Sequence, residues 1–201
     1  MLERQKKLVW DFQEAMNQPQ HDNLEPGLQR FRALRISLIK EELQELQNAL
    51  LQNDDIEVLD ALIDSMYVLL GTVNYHGFSN FNSFMDFETE IEYSKTVDYV
   101  DLMYKLVKEI TPQYVIGSFT FSELLNFCCS YANLILSMLK TLESRGIYQK
   151  NVFEPAFLEV HNSNMSKLDN NGKAIFRPDG KVLKSNNYWK PELSKYLTIK
   201  K

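Results

Sequence analysis

Residues 36–64 read ISLIKEELQELQNALLQNDDIEVLDALID, and this stretch decides the fold. Its first half places apolar side chains at steps of three and four, the period of a helix that buries one face. These side chains are Ile36, Ile39, Leu43, Leu46 and Leu50. Asn53-Asp54-Asp55 then supplies a turn with helix N-cap chemistry. We therefore predict a helix ending near Leu51 and a second over about 55–76, stopping at Gly77 and packed antiparallel to the first.

Each of these two helices carries acidic side chains on one side. At 100° per residue, Glu45 lies about 40° from Glu41 and about 60° from Glu42. On the second helix, the acidic residues are spaced three and four apart. They are Glu57, Asp60 and Asp64. Antiparallel packing lets the two acidic faces converge into one site lined by oxygens.

No Lys or Arg occurs between Glu41 and Ser94, so the local sequence offers these carboxylates no counter-charge. Burying a charge without compensation is costly, and a hard divalent cation such as magnesium or manganese would supply it. A solvated acidic surface is the alternative. The second helix is apolar nearly all round and should be buried, which favours the metal site.

The rest of the chain reads as further helices and one small hairpin. We predict helices over 2–17, 26–51, 96–109, 120–145 and 152–166. Pro112 should separate the fourth and fifth helices, and Thr120 with Glu123 forms a capping box. Two short apolar runs around Pro178-Asp179-Gly180 predict a hairpin. The fold class is all-α with a small β appendage.

Composition narrows the functional class. The chain has 201 residues, enough for one domain, and its net charge of −5 argues against generic nucleic-acid binding. No apolar run approaches the roughly 20 residues that span a bilayer. Cys128 and Cys129 are adjacent in an apolar helical pattern, so we expect reduced, buried thiols and a cytoplasmic location.

Basic residues concentrate after His161, which suits a ligand made of metal and phosphate. For residues 195–201 we favour a disordered lysine tail. His161 has no partner His or Cys at metal-ligand spacing, so we assign it to packing or hydrogen bonding. Trp10 and Phe12 are either core aromatics or walls of a base pocket, and the core assignment is favoured.

These residues resemble a known family. Glu41-Glu42-Leu-Gln-Glu45, then Glu57-Val-Leu-Asp60, is similar to the ExxE and ExxD signature of the all-α nucleoside triphosphate pyrophosphohydrolases. That superfamily includes MazG, phosphoribosyl-ATP pyrophosphatase and the dimeric dUTPases. The segments 9–19 and 160–184 resemble the opening and C-terminal motifs of its MazG-like, phosphoribosyl-ATP-pyrophosphatase-like subgroup.

The resemblance implies a magnesium-dependent enzyme, with manganese as a possible substitute, that cuts a nucleoside triphosphate to the monophosphate and pyrophosphate. It implies Glu42, Glu45, Glu57 and Asp60 as metal ligands. Asp64 competes with Asp60 for the family's final Asp position, and both are kept. It also implies a homodimer or homotetramer.

We expect Glu41 or Glu42 to orient or deprotonate the attacking water. Substrate-binding candidates are the residues whose side chains could hold phosphate, base or sugar. They are Arg35, Asn164, Lys167, Lys173 and Lys184. Arg32 and Arg35, which lead into the acidic helix, are weaker candidates than the lysines, and the alternative for both is a solvated helix residue.

The chain departs from the pattern in one respect. About 68 residues separate Gly77 from Gly146, where the subgroup is nearly continuous. We therefore predict a single MazG-like catalytic domain over 1–201, an antiparallel helical bundle with a two-helix insertion at about 78–146. The rival functions are phosphoribosyl-ATP pyrophosphatase and a non-catalytic helical assembly protein with a metal-binding acidic face.

Overall fold

The computed structural model describes residues 2–19, 28–78, 81–85 and 95–198. Its elements, in chain order, are α1 (Glu3–Ala15), α2 (Leu28–Gln52), α3 (Asp55–Tyr75), α4 (Thr96–Ile116), α5 (Phe121–Ser144), α6 (Phe153–Met165), β1 (Ile175–Phe176) and β2 (Val182–Leu183). Single 3-10 turns lie at Phe81–Phe84 and Ser194–Tyr196. The all-α class with a small C-terminal hairpin is confirmed. Pro26, the expected start of α2, lies outside the described residues.

The centre of the fold is α3, which packs against α1, α2, α5 and α6. Its helix begins where predicted, because the Asp54 carboxylate accepts hydrogen bonds from the backbone N–H groups of Ile56 and Glu57, both at 3.1 Å. The apolar stripe of α2 is buried against it, with Ile39 and Leu43 fully buried. This antiparallel pair holds both acidic faces in register.

The predicted break at Pro112 is wrong. Pro112 lies inside α4, which continues to Ile116 and ends at Gly117 in a left-handed conformation, φ 79°. Proline cannot donate to the carbonyl four residues earlier, yet a helix tolerates this where packing holds it. Ile110 and Tyr114 are buried on either side of the proline, so tertiary contacts override the local signal.

The insertion helices cover the bundle. α4 packs on α2 and α5, and α5 packs on α3. The capping box at the start of α5 is confirmed, since the Thr120 backbone N–H donates to Glu123 Oε2 at 2.7 Å. Cys128 and Cys129 are free and buried, as expected, and burial raises the pKa of the Cys128 thiol.

The hairpin pairs Ile175 with Leu183 and Phe176 with Val182 in antiparallel register, as predicted. The expectation of a disordered tail is wrong for Lys195, which lies in a 3-10 turn and pairs with Glu159 at 2.9 Å. Residues 199–201 lie outside the described part of the chain. None of the helices described is both long and apolar enough to cross a membrane.

Candidate active site

The acidic faces of α2 and α3 meet. The charge of Asp64 on α3 acts on both Glu42 and Glu45 of α2, and the charge of Glu45 acts on Asp60. Glu42, Asp60 and Asp64 are partly buried, whereas Glu45 is exposed at the rim. The convergence predicted from helical spacing is therefore present in the structure. We call the six side chains Glu41, Glu42, Glu45, Glu57, Asp60 and Asp64 the carboxylate cluster.

The carboxylate cluster carries more negative charge than its surroundings stabilise. Burial, followed by the charges of Asp64, Glu45 and Glu41, holds the pKa of Glu42 well above its usual range. Burial and the charges of Asp64 and Glu57 raise the pKa of Asp60 to about 7. These shifts mean that full ionisation requires an added positive charge.

Two oxygens of the carboxylate cluster are buried without a hydrogen-bond partner. They are Glu42 Oε2 and Asp60 Oδ1, and neither accepts a hydrogen bond from the described residues. A buried carboxylate oxygen left unpaired is costly, and ligation of a hard cation would satisfy it. The donor set therefore fits magnesium. Within the described ranges, however, no three Asp, Glu, His or Cys side chains are gathered as a ready coordination sphere.

Lysines from the C-terminal segment supply part of the counter-charge that the local sequence lacks. Lys181 Nζ pairs with Glu41 Oε1 at 2.5 Å, and Lys190 pairs with Glu57. Lys167 is partly buried, and its charge acts on Asp64 and Glu42. Burial lowers the pKa of Lys167, while those two carboxylates oppose the shift. A bound cation would therefore share the compensation of these carboxylates with lysines that are distant in sequence.

The remaining substrate-binding candidates divide. Asn164 hydrogen-bonds Asp64, and the charge of Lys184 also acts on Asp64, so both belong to the site. Lys173 is exposed and its backbone N–H donates to Asp169 Oδ1 at 2.8 Å, so the structure associates it with that turn instead. Sequence reasoning missed Lys181 and Lys190 as site residues. Lys181 lies in the C-terminal motif, which was a usable signal, whereas Lys190 offered none.

A cleft opens beside the carboxylate cluster between α1, α2, α3 and α6. Its empty space amounts to about 580 Å³, the open space at its mouth included. Glu42, Asp64, Lys167 and Lys181 line one end of it. Its other lining residues are mostly apolar or amide side chains, with one cation. They are Val9, Phe12, Gln13, Gln18, Arg35, Leu38, Tyr67, Val68, Gly71, Asn164 and Val182.

Aromatic side chains form one wall of this cleft. Phe12 and Tyr67 meet edge to face with ring centroids 5.5 Å apart. The Tyr67 hydroxyl and His161 Nδ1 are hydrogen-bonded at 3.0 Å, which confirms His161 as a hydrogen-bonding residue. Phe12 is both largely buried and a wall of the cleft, whereas Trp10 borders a separate surface pocket beside Glu3.

Comparison with known proteins agrees with this geometry. Residues 9–90 match the family model of phosphoribosyl-ATP pyrophosphohydrolase. The matched range is less than half of the chain, but it holds both acidic helices and the whole carboxylate cluster. No curated protein matches the chain, and no solved structure does. Over residues 9–90, the chain is therefore similar to phosphoribosyl-ATP pyrophosphohydrolase, a hydrolase that acts on a nucleotide phosphoanhydride.

Proposed function

We propose that this protein is a metal-dependent nucleoside triphosphate pyrophosphohydrolase that converts a nucleoside or deoxynucleoside triphosphate to the monophosphate and pyrophosphate. The observation that supports this most is the pair of buried, unpartnered oxygens Glu42 Oε2 and Asp60 Oδ1 in the carboxylate cluster, beside a cleft that Glu42 lines. Purely structural carboxylates would have hydrogen-bond partners.

The residues that would hold magnesium, or manganese in its place, are Glu42, Glu45, Glu57, Asp60 and Asp64. When bound, the metal supplies charge neutralisation for the triphosphate and lowers the pKa of a water molecule. Between Asp60 and Asp64, the unpartnered oxygen favours Asp60 as the main ligand from α3. Asp64 already accepts from Asn164 and is surrounded by lysine charges.

Side chains of the protein would accept the proton, bind the phosphates and position the carboxylates. Glu41 is paired with Lys181, whereas Glu42 lines the cleft, so Glu42, through the oxygen that does not ligate metal, is the better candidate to accept a proton from the attacking water. Lys167, Lys181 and Lys184 lie where they can bind phosphate oxygens and stabilise charge that develops on them. Asn164 holds Asp64 in place.

A nucleotide panel with magnesium and a pyrophosphate assay tests the proposal. Glu45→Gln and Asp60→Asn should abolish pyrophosphate release while far-UV circular dichroism stays that of the unmodified protein. Glu109→Gln, an exposed position on α4, is the matched control and should keep full activity. Unchanged turnover in both cluster variants would refute the assignment.

Phosphoribosyl-ATP is the second candidate substrate, and the family match favours it directly. Turnover of phosphoribosyl-ATP at a kcat/KM above that of every nucleoside triphosphate would replace our proposal. Pyrophosphate release from neither class of substrate would favour the helical assembly protein instead.

Two expectations remain proposals. We propose a homodimer or homotetramer, and light scattering after gel filtration measures its mass. We also propose a cytoplasmic location, which fractionation of source cells would check.

A further inference from the structure

The cleft runs along α2 and α3, and different residues of these two helices line its two ends. On α2, Arg35 lies seven residues before Glu42, so both project to nearly the same side about 10 Å apart. On α3, which runs antiparallel, Asp64 and Gly71 have the same separation. The Glu42 end is thus opposite Asp64, and the Arg35 end is opposite Gly71. All four residues line the cleft.

The Arg35 end holds a buried cation. Arg35 is 4% exposed, its Nε donates to Thr72 Oγ1 at 3.2 Å, and an Nη2 hydrogen bond goes to the carbonyl of Val68. A guanidinium has five N–H donors, so these two bonds leave others. No carboxylate among the described residues pairs with it. Burial lowers the pKa of Arg35 to about 10, so it is charged at neutral pH.

Gly71 is what allows the guanidinium to lie there. A Cβ atom at position 71 would be 2.4 Å from Arg35 Nη2 and 3.1 Å from Cζ. The absence of a side chain on this turn of α3 therefore gives Arg35 its place beside the cleft. A buried cation in a fitted position, with donors left over, is the arrangement expected for binding an acceptor on a ligand.

Gln18 supplies the complementary group. Its Oε1 is buried and accepts no hydrogen bond from the described residues, and the side chain lines the same cleft. The neighbouring Gln13 is already committed, because its Nε2 donates to the Gly71 carbonyl at 3.0 Å and its Oε1 accepts from Asn74 at 3.2 Å. Gln18 is thus the amide whose acceptor remains available.

We propose that Arg35 and Gln18 read a nucleobase with a lactam edge, in which a carbonyl oxygen adjoins a ring N–H. Arg35 donates to the carbonyl oxygen, Gln18 Oε1 accepts from the N–H, and Phe12 and Tyr67 wall the ring. Guanine, uracil and thymine have this edge. Adenine and cytosine lack it, because each has an amino group beside an unprotonated ring nitrogen.

This inference rests on the proposed function, since the triphosphate must occupy the carboxylate end for the base to reach Arg35. Discrimination arises because a base without the lactam edge leaves a buried donor or acceptor unpaired. Sites built to hydrogen-bond a substrate group reject analogues that lack it by large factors. We expect at least one lactam-base triphosphate to exceed both dATP and dCTP in kcat/KM by about tenfold or more.

The experiment compares dGTP, dUTP, dATP and dCTP with saturating magnesium in the unmodified protein and in Gln18→Leu. The variant should lower kcat/KM for the lactam substrates about 10- to 100-fold and leave the adenine substrate nearly unchanged. Gln113→Leu, at an exposed position on α4, is the matched control and should keep the kcat/KM ratio of lactam to adenine substrates found in the unmodified protein. Arg35→Lys keeps the positive charge but loses the planar, forked set of guanidinium donors. It should therefore also lower the ratio of kcat/KM for the lactam substrates to kcat/KM for dATP.

Binding of the monophosphates by calorimetry in chelator separates this inference from the proposed function. Tighter binding of dGMP or dUMP than of dAMP supports it. Pyrophosphate release from none of the triphosphates overturns the proposed function. Equal binding of dAMP, dGMP and dUMP overturns the base assignment, and so does an equal loss for all four triphosphates in Gln18→Leu.

Discussion

Replacing Gly71 with Ala tests the fit between α3 and the buried guanidinium without altering any charge. The added Cβ would lie 2.4 Å from Arg35 Nη2, where ordinary contact begins at 3.4 Å, an overlap of 3.4 − 2.4 = 1.0 Å. Arg35 cannot absorb this shift freely, because Thr72 Oγ1 and the Val68 carbonyl hold it.

Two opposing effects set the magnitude. Alanine is favoured over glycine in a helix interior by about 1 kcal/mol. Overpacking a buried site costs about 1–3 kcal/mol, and each hydrogen bond from a charged donor that is lost costs about 1.5–3 kcal/mol. We therefore expect Gly71→Ala to lower the free energy of unfolding by about 1–3 kcal/mol.

A double-mutant cycle identifies the cause. In an Arg35→Leu background the guanidinium is gone, so Gly71→Ala should be neutral or stabilising, and the coupling between the two positions should be about 2 kcal/mol. Urea unfolding followed by circular dichroism at 222 nm gives all four free energies. A stabilising Gly71→Ala in the unmodified chain, or a coupling near zero, would refute the assigned contact.

Three further predictions concern single positions. Asp60→Asn removes a carboxyl whose ionisation is opposed by burial and by neighbouring charge, so in chelator it should raise the free energy of unfolding by about 1 kcal/mol, measured by thermal denaturation. Burial lowers the pKa of His161 below 6.5. The contribution of the neutral imidazole to the free energy of unfolding is therefore complete above pH 6.5 and is lost as pH falls through the folded-state pKa. Between about pH 7 and about pH 5, the free energy of unfolding in urea should fall less in His161→Gln than in the unmodified protein. Pro112→Ala restores a backbone donor at an exposed position within α4 and should stabilise the protein by about 1–3 kcal/mol in the same assay, whereas destabilisation would mean that the proline is required.

The sequence predicted those parts of the fold that local signals determine. The α2–α3 pair follows from its apolar period, the start of α3 from the Asp54 cap, and the hairpin from its central turn. Pro112 shows the limit of such signals. The local sequence predicts a helix break at Pro112. Burial of Ile110 and Tyr114, however, depends on the packing of α4 against α2 and α5, which no local pattern encodes.

The candidate site was likewise predictable only where local sequence signals determine it. Carboxylates spaced three and four on adjacent helices must share a side, so their convergence could be deduced. The ion-pair partners of these carboxylates could not be deduced from the sequence, because Lys181 and Lys190 lie more than 130 residues away from Glu41 and Glu57. Gln18 was equally inaccessible, since an amide at a helix end carries no signal until the cleft beside it is known.

The origin of the lysines has a consequence for ligand binding. The hairpin that brings Lys181 to the site has little apolar burial of its own, because Ile175, Phe176 and Leu183 are exposed and Val182 alone is buried. Attraction to the carboxylate cluster therefore helps to hold this segment in place. A bound triphosphate would compete with Glu41 for Lys181, because both are anionic. Because the attraction of the lysine for phosphate replaces its attraction for the carboxylate, the hairpin can stay docked while the ion pair opens, and substrate then takes over part of the stabilisation that the pair provided.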